Sequence, residues 1–197
     1  MLHEISHGLI AYAFGDDAAK KAGRFKLYTH FDLWGSLVIP VLLFLAQSPF
    51  LIGYAKPVPV DTQKFKDPLV DMAIVAIGGP LCNLLLAAIS ALILQKNFAI
   101  MPLPFQNFCF NFVGVNLCLF FFNLIPIPPL DGSRIVAAIL PKTWVEKYYS
   151  LEPFGFFIII ALEMFSRQIS PLVGRNVSLF YFFIDAPING LIKMMFS

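Results

Sequence analysis

Long apolar stretches alternate with short polar connectors along this chain. A helix that crosses a membrane needs about 20 mostly apolar residues, and three stretches approach that length, at about 35–55, 69–94 and 105–127. Two further apolar stretches, at about 151–165 and 178–196, predict helices that span the membrane, tilt within it or lie at its surface. The pattern therefore predicts several membrane helices.

The N-terminal region and the connectors add to this picture. Residues 1–15 form another apolar helix candidate, and the polar connector that follows covers residues 16–34. Polar and apolar positions alternate over residues 24–28, which is a weak strand signal. The second connector, residues 56–67, contains prolines and lysines and predicts an extended loop. We predict an all-α integral membrane protein: a polytopic bundle of about five to six membrane helices with a small extended or β connector.

Composition supports a lipid environment for a single membrane-embedded domain over residues 1–197. Hydrophobic residues make up 58% of the chain and charged residues 13%, against about 45–50% and 25% in soluble domains. The mean hydropathy is +0.77. The net charge of +2 is too small to suggest a nucleic-acid partner, and the chain has no dense basic run, so we expect none. The lipid bilayer is the predicted surrounding, and the scattered lysines and arginines do not set an orientation in it.

The strongest chemical signal is the sequence His3-Glu4-Ile5-Ser6-His7, an HExxH motif. Residues four apart lie on one face of a helix, so His3 and His7 can offer two imidazole nitrogens to one metal ion. Glu4 lies about 100° around the helix from His3, where it can act as general base on a metal-activated water. The alternative is a polar helix start, but such residues are costly beside an apolar chain unless they are functional.

A third metal ligand has to come from further along the chain. Catalytic zinc usually has three protein ligands and one open position, and Ile10 and Ala13 stand where a longer histidine motif would continue. Asp131 follows the proline-rich segment 123–130, and irregular backbone at membrane depth is tolerated only inside protein or beside a wet cavity. The alternative role for Asp131 is to cap the next helix. Three glutamates in less informative surroundings are also candidates: Glu146, Glu152 and Glu163.

Several segments together resemble the site-2 protease-like intramembrane zinc proteases, and among them the small bacterial-type members that have no PDZ or CBS domain. They match the HExxHG core, a short histidine-containing stretch with Arg24, the GxAKPVPV loop, the GGPxxN turn and the NxxPxPPLDG motif. In chain order these segments are residues 3–8, 30–32, 53–60, 78–83 and 123–132. Their order and approximate spacing agree with the family from residue 3 to about residue 140.

The resemblance implies a zinc metalloendopeptidase that cuts other membrane proteins in or near their transmembrane segments. It implies one zinc ion per chain, held by His3, His7 and Asp131, with Glu4 as the catalytic base. It also implies a multi-pass protein of a prokaryotic plasma membrane, with the active site nearer the cytosolic face. The expected partner is a membrane-protein substrate.

Other polar residues have more than one interpretation. Asn83 and Asn123 are candidate substrate-binding residues, although hydrogen bonds between helices are the alternative. We expect His30 to be a solvated loop histidine rather than a group that supports the site. Residues 56–67 are expected to gate substrate entry or to bind an extended substrate as an added strand.

Two other functions remain open at this stage. Family members have an apolar half-helix before the HExxH motif, whereas here the motif begins at His3. A catalytically decayed homologue that acts as a membrane binding protein is therefore one alternative. The other is a metal-handling transporter, although a glutamate adjacent to a ligand, as Glu4 is, suits hydrolysis better.

Overall fold

A computed structural model of the protein describes residues 1–47, 53–173 and 178–196. All regular secondary structure in these residues is helical, which confirms the predicted all-α class. The strand expected at residues 24–28 is wrong: none occurs there, and Leu27–His30 form a turn of 3₁₀ helix. Local hydrogen bonds explain the difference, because the Arg24 guanidinium donates to the carbonyl of Thr29 and closes the segment on itself.

Helices of different lengths follow one another along the chain. The α-helices are α1 (Leu2–Ala13), α2 (Ala18–Lys21), α3 (Ile39–Leu45), α4 (Pro68–Asn97), α5 (Leu103–Asn123), α6 (Asp131–Ile139), α7 (Lys142–Tyr149), α8 (Gly155–Val173) and α9 (Ala186–Phe196). Trp34–Val38 and Tyr181–Asp185 are π-helical. The chain divides into two compact units, Met1–Gly79 and Pro80–Ser197, and the division falls inside α4.

Three helical segments of the described chain are long and apolar enough to cross a membrane: Pro68–Asn97, Leu103–Asn123 and Lys142–Val173. They correspond to the stretches predicted at 69–94, 105–127 and 151–165. In the most apolar part of each helix, only 22% of Leu103–Asn123 and 11% of Lys142–Val173 is buried in protein. Their apolar side chains are therefore left to face lipid, as expected of an integral membrane protein.

The two remaining apolar stretches, at about 35–55 and 178–196, are not among these three segments. Trp34–Leu45 is an apolar helix below spanning length, and the predicted stretch 35–55 also includes residues 48–52, which lie outside the described residues. At the C-terminal stretch, Tyr181–Asp185 and α9 do not form a helix that meets the length and hydropathy of a span. Apolar composition alone did not separate such short helices from spanning ones.

The first unit is built around α1 and the first part of α4. Ala11, Phe65 and Val75 form its buried apolar cluster. The two helices approach closely at Gly78, where an added Cβ would lie 2.3 Å from Cδ1 of Ile10. This contact places the HExxH motif of α1 directly beside the backbone of α4.

The second unit contains the segment that leads to Asp131. The irregular residues 124–130 are held by a buried cluster of Ile125, Leu130 and Ile159. Gly155, at the start of α8, meets this segment so closely that a Cβ there would overlap the carbonyl oxygen of Pro128. The predicted proline-rich break is therefore a packed part of the unit, and it fixes where α6 begins.

Candidate metal centre

The two histidines of the motif face one another on α1. Their Nε2 atoms lie 3.0 Å apart, and their rings meet edge to face with centroids 4.6 Å apart. Nδ1 of His7 lies 2.7 Å from the carbonyl oxygen of Val75 on α4. A carbonyl only accepts, so Nδ1 of His7 carries the proton and Nε2 is left as the electron-pair donor.

This arrangement fits a zinc ion. Two nitrogens at 2.0–2.1 Å from one zinc, separated by a tetrahedral angle, are about 3.3 Å apart, and the pair of His3 and His7 is within a few tenths of an ångström of that separation. A backbone carbonyl on the second ring nitrogen is also the usual outer partner of a zinc-binding histidine. Val75 supplies that partner for His7.

Gly79 keeps the space beside both nitrogens open. A Cβ at this position would lie 2.4 Å from Nε2 of His7 and 2.5 Å from Nε2 of His3. Any larger residue would therefore fill the place towards which the two imidazoles converge. In the sequence this glycine stands out only as part of the GGPxxN turn, residues 78–83.

Glu4 is oriented by the second connector, residues 56–67. Its Oε2 accepts a hydrogen bond of 3.0 Å from the amide of Val58, and Oε1 makes no hydrogen bond within the described residues. Gly8 allows this approach, because a Cβ there would be only 3.0 Å from Cγ2 of Val58. The glycine that follows HExxH thus lets the connector pass close to α1.

Ser6 ties the motif to α4. Its hydroxyl lies 2.7 Å from the carbonyl of His3 and 2.9 Å from the carbonyl of Gly78, and it can donate to either. The serine between the two histidines therefore helps to hold them against the glycines of α4.

Asp131 is the first residue of α6, and it is half-buried. Leu130 occupies the N-cap position and makes no side-chain cap, so helix capping by Asp131 is not the arrangement found. Its carboxylate is a suitable oxygen ligand for zinc. The role of third ligand stays a prediction.

Two of the other candidate acids are engaged in the second unit. Glu163 accepts a hydrogen bond of 2.6 Å from Arg167, and the hydroxyl of Ser178 lies 2.9 Å from both of its carboxylate oxygens and can donate to either. Glu152 lies 3.4 Å from the guanidinium of Arg134. These partners give both glutamates structural roles. The remaining candidate acid is exposed on α7; it is Glu146.

The two asparagines lie on membrane helices of the second unit. Asn83 is buried on α4, and the amide of Asn123 donates to the carbonyl of Leu119 one turn earlier on α5. Such a bond is compatible with a structural role for Asn123. Substrate binding by Asn83 and Asn123 stays a prediction.

His30 is fully buried, so the expectation of a solvated loop histidine is wrong. Its Nδ1 lies 2.9 Å from the carbonyl oxygen of Lys56, and its Nε2 lies 2.6 Å from that of Arg24. The side chain therefore joins the first connector to the second. The polar residues around it in sequence gave no sign of this burial.

Comparison with known proteins places the chain in a family. It is 36% identical over 170 residues to "Putative zinc metalloprotease YwhC" of Bacillus subtilis (strain 168), covering 82% of this chain and 74% of that protein. The chain belongs to peptidase family M50, the site-2 protease family. The M50 family profile matches residues 93–162, a region that includes Asp131.

A second relative of this M50 protein is "Putative zinc metalloprotease Rip2" of Mycolicibacterium smegmatis (strain ATCC 700084 / mc(2)155). The two are 31% identical over 195 residues, which cover 93% of this chain and 69% of that protein. No solved structure shows a significant match. Membership in M50 confirms the resemblance found in the sequence, and with the three apolar helices it identifies an integral membrane metalloprotease of the site-2 type.

Proposed function

We propose that this M50 protein is an intramembrane zinc endopeptidase that hydrolyses peptide bonds in or near transmembrane segments of other membrane proteins. The observation that carries the proposal is the convergence of Nε2 of His3 and Nε2 of His7 on the space kept open by Gly79. Glu4 on the same helix supplies the carboxylate that hydrolysis requires.

The proposed metal is one zinc ion per chain, held by His3, His7 and Asp131. Three protein ligands with one open position are typical of catalytic zinc. When bound, zinc would polarise the substrate carbonyl and lower the pKa of water. The carbonyl of Val75 would keep His7 in the tautomer that can donate its electron pair.

Glu4 is the proposed general base. Its Oε2 is held by the amide of Val58, so Oε1 is the oxygen that would accept a proton from the attacking water. The same carboxyl group would then deliver that proton to the leaving amine, which leaves Glu4 ionised for the next cycle.

The substrate is proposed to bind in extended form along residues 54–60. Tyr54 and Lys56 direct their backbone groups into the unit, where the amides donate to Gly35 and His30. Because successive residues of an extended chain point in opposite directions, the carbonyls at the intervening positions face the other way. Those positions are Ala55, Pro57 and Pro59. Two of the three are prolines without an N–H, so this edge mainly accepts hydrogen bonds, and an added substrate strand would donate them.

A substrate helix has to unwind before its backbone can bind in this way. We therefore expect helices weakened by glycine or proline to be preferred, since helical hydrogen bonds otherwise occupy the carbonyls. Replacing glycine and proline by leucine in a model substrate helix should slow cleavage, whereas the same number of substitutions by leucine at apolar positions should not. Equal rates for the two substrates would contradict this preference.

The proposed membrane is the plasma membrane of a prokaryote, with the active site nearer the cytosolic face.

The function itself is tested by reconstituting the protein in liposomes with a model transmembrane substrate. We expect cleavage that a zinc chelator stops and added zinc restores. Cleavage that persists without metal would overturn the proposal.

A further inference from the structure

The extended segment 54–61 is attached to the first unit at several points along its length. The amides of Tyr54 and Lys56 donate to backbone carbonyls, at 3.0 and 2.9 Å. Val58 donates to the carboxylate of Glu4 at 3.0 Å. Asp61, at the far end, donates to the carboxylate of Asp16 at 2.8 Å. The bond to Glu4 thus lies between two other attachment points.

Asp16 is the anchor at the C-terminal end of this segment. It is fully buried, and its carboxylate accepts hydrogen bonds from the amide of Asp61, the amide of Ala18 and the ammonium of Lys64. A buried carboxylate is costly unless it is paired in this way. Burial raises the pKa of Asp16, but the hydrogen bonds from Asp61, Ala18 and Lys64 lower it, and the net pKa is below its usual value.

His30 is the anchor at the N-terminal end. Its imidazole lies against the carbonyl of Lys56, and its own carbonyl accepts from the amide of the same residue. On the other side the ring reaches the carbonyl of Arg24. The side chain is fully buried, so its position is set by the surrounding protein rather than by solvent.

Two prolines make the segment between these anchors stiff. Pro57 and Pro59 flank Val58, and the ring of proline fixes its own φ angle and restricts the residue before it. If both ends of such a segment are fixed, the direction of the Val58 amide is fixed as well. A displacement at either end would be passed on to the hydrogen bond with Glu4.

We propose that Asp16 and His30 are positioning residues that fix the two ends of residues 54–61 and thereby orient the carboxylate of Glu4. They act through the amide of Val58 and do not touch the substrate or the metal. The anchoring is independent of activity, whereas the predicted effect on turnover rests on the proposed peptidase function.

The test compares Asp16→Asn with Asp17→Asn in the full-length protein in detergent micelles. Both variants remove one carboxylate that pairs with Lys64, but only Asp16 bonds to the backbone of the connector. Hydrogen–deuterium exchange at the amides of Val58 and Asp61 is the first measurement. We expect faster exchange at both amides in Asp16→Asn and wild-type exchange in Asp17→Asn.

Turnover of a transmembrane substrate is the second measurement. Asp16→Asn should lower kcat by about 10- to 100-fold, as expected for a displaced catalytic group, with little change in zinc content. Asp17→Asn should leave kcat unchanged. If neither variant nor wild type cleaves substrate but the exchange difference is present, the proposed function fails and the anchoring stands.

A second variant covers the case in which Asp16→Asn does not fold. His30→Gln changes the other anchor, and it should also speed exchange at Val58 while Asp17→Asn does not. Wild-type exchange at Val58 and wild-type kcat in a folded Asp16→Asn or His30→Gln variant would overturn the proposal.

Discussion

At the scale of single residues, Gly79 is the position at which a side chain would reach both histidines of the motif. A Cβ there would contact the Nε2 atoms of both His3 and His7. We predict that Gly79→Ala lowers zinc affinity by at least about 10-fold, the size of effect seen when the groups around a metal site are disturbed. Zinc competition titration in detergent measures it.

Gly114→Ala is the matched control for that prediction. Gly114 also lies inside a membrane helix, α5, but a Cβ there would meet nothing within 4 Å. The control should bind zinc as the wild type does. Equal zinc affinity in the two variants would show that the space beside the histidines is not used for metal.

The third ligand is the second prediction at this scale. Asp131→Asn removes the charge of the proposed third ligand and should lower zinc affinity by about 10-fold or more. Glu152→Gln, which changes an acid held by Arg134, should leave zinc affinity unchanged. Unchanged affinity in Asp131→Asn would assign the third ligand to another residue.

Single residues also show where prediction from sequence ends. The pairing of His3 with His7 could be predicted, because a spacing of four puts both on one helix face. The burial of His30 could not, because its partner Lys56 is 26 positions away in the chain. The role of Gly79 depends on a contact between α4 and α1. The periodicity of the sequence does not predict contacts between helices.

At the scale of elements, apolar length predicted the long helices and failed for the short ones. Pro68–Asn97 and Leu103–Asn123 are close to the predicted stretches, since about 20 apolar residues have few alternatives to a membrane helix. Trp34–Leu45 is shorter than predicted. The alternation at residues 24–28 did not give a strand, because side-chain hydrogen bonds closed that segment locally.

The acidic cluster at the end of α1 gives a pH-dependent prediction. Hydrogen bonds from Lys21 and Lys64 lower the pKa of Asp17 to about 2, and the pKa of Asp16 is also below its usual value. A carboxylate whose pKa is lowered by folding stabilises the fold fully above its unfolded pKa of about 3.9. That stabilisation is lost as the pH falls through the folded value.

The anchor of the connector should therefore loosen only in acid. Exchange at the amide of Asp61, corrected for the intrinsic pH dependence, should be constant from about pH 7 to pH 5 and rise below about pH 4. Lys64→Met should move the rise to higher pH, because Lys64 lowers the pKa of both carboxyls. An Asp61 amide whose protection does not change down to pH 2 would contradict this prediction.

At the scale of the whole molecule, the central claim is that an integral membrane protein of family M50 carries out hydrolysis through Glu4 beside a zinc-binding histidine pair. Membership in the family follows from its relatives, and the geometry of the first unit fits the chemistry. Catalytic activity distinguishes this function from that of a decayed homologue, which would bind membrane proteins without cleaving them.

The most direct measurement compares wild type with Glu4→Gln for zinc content and for cleavage of a transmembrane substrate in liposomes. Glutamine keeps an oxygen for the amide of Val58 but cannot take up a proton, so the variant should bind about one zinc per chain and lose cleavage. Glu146→Gln, at an exposed position on α7, should retain both. Cleavage by Glu4→Gln at the wild-type rate, or zinc-loaded wild type that does not cleave, would contradict the account.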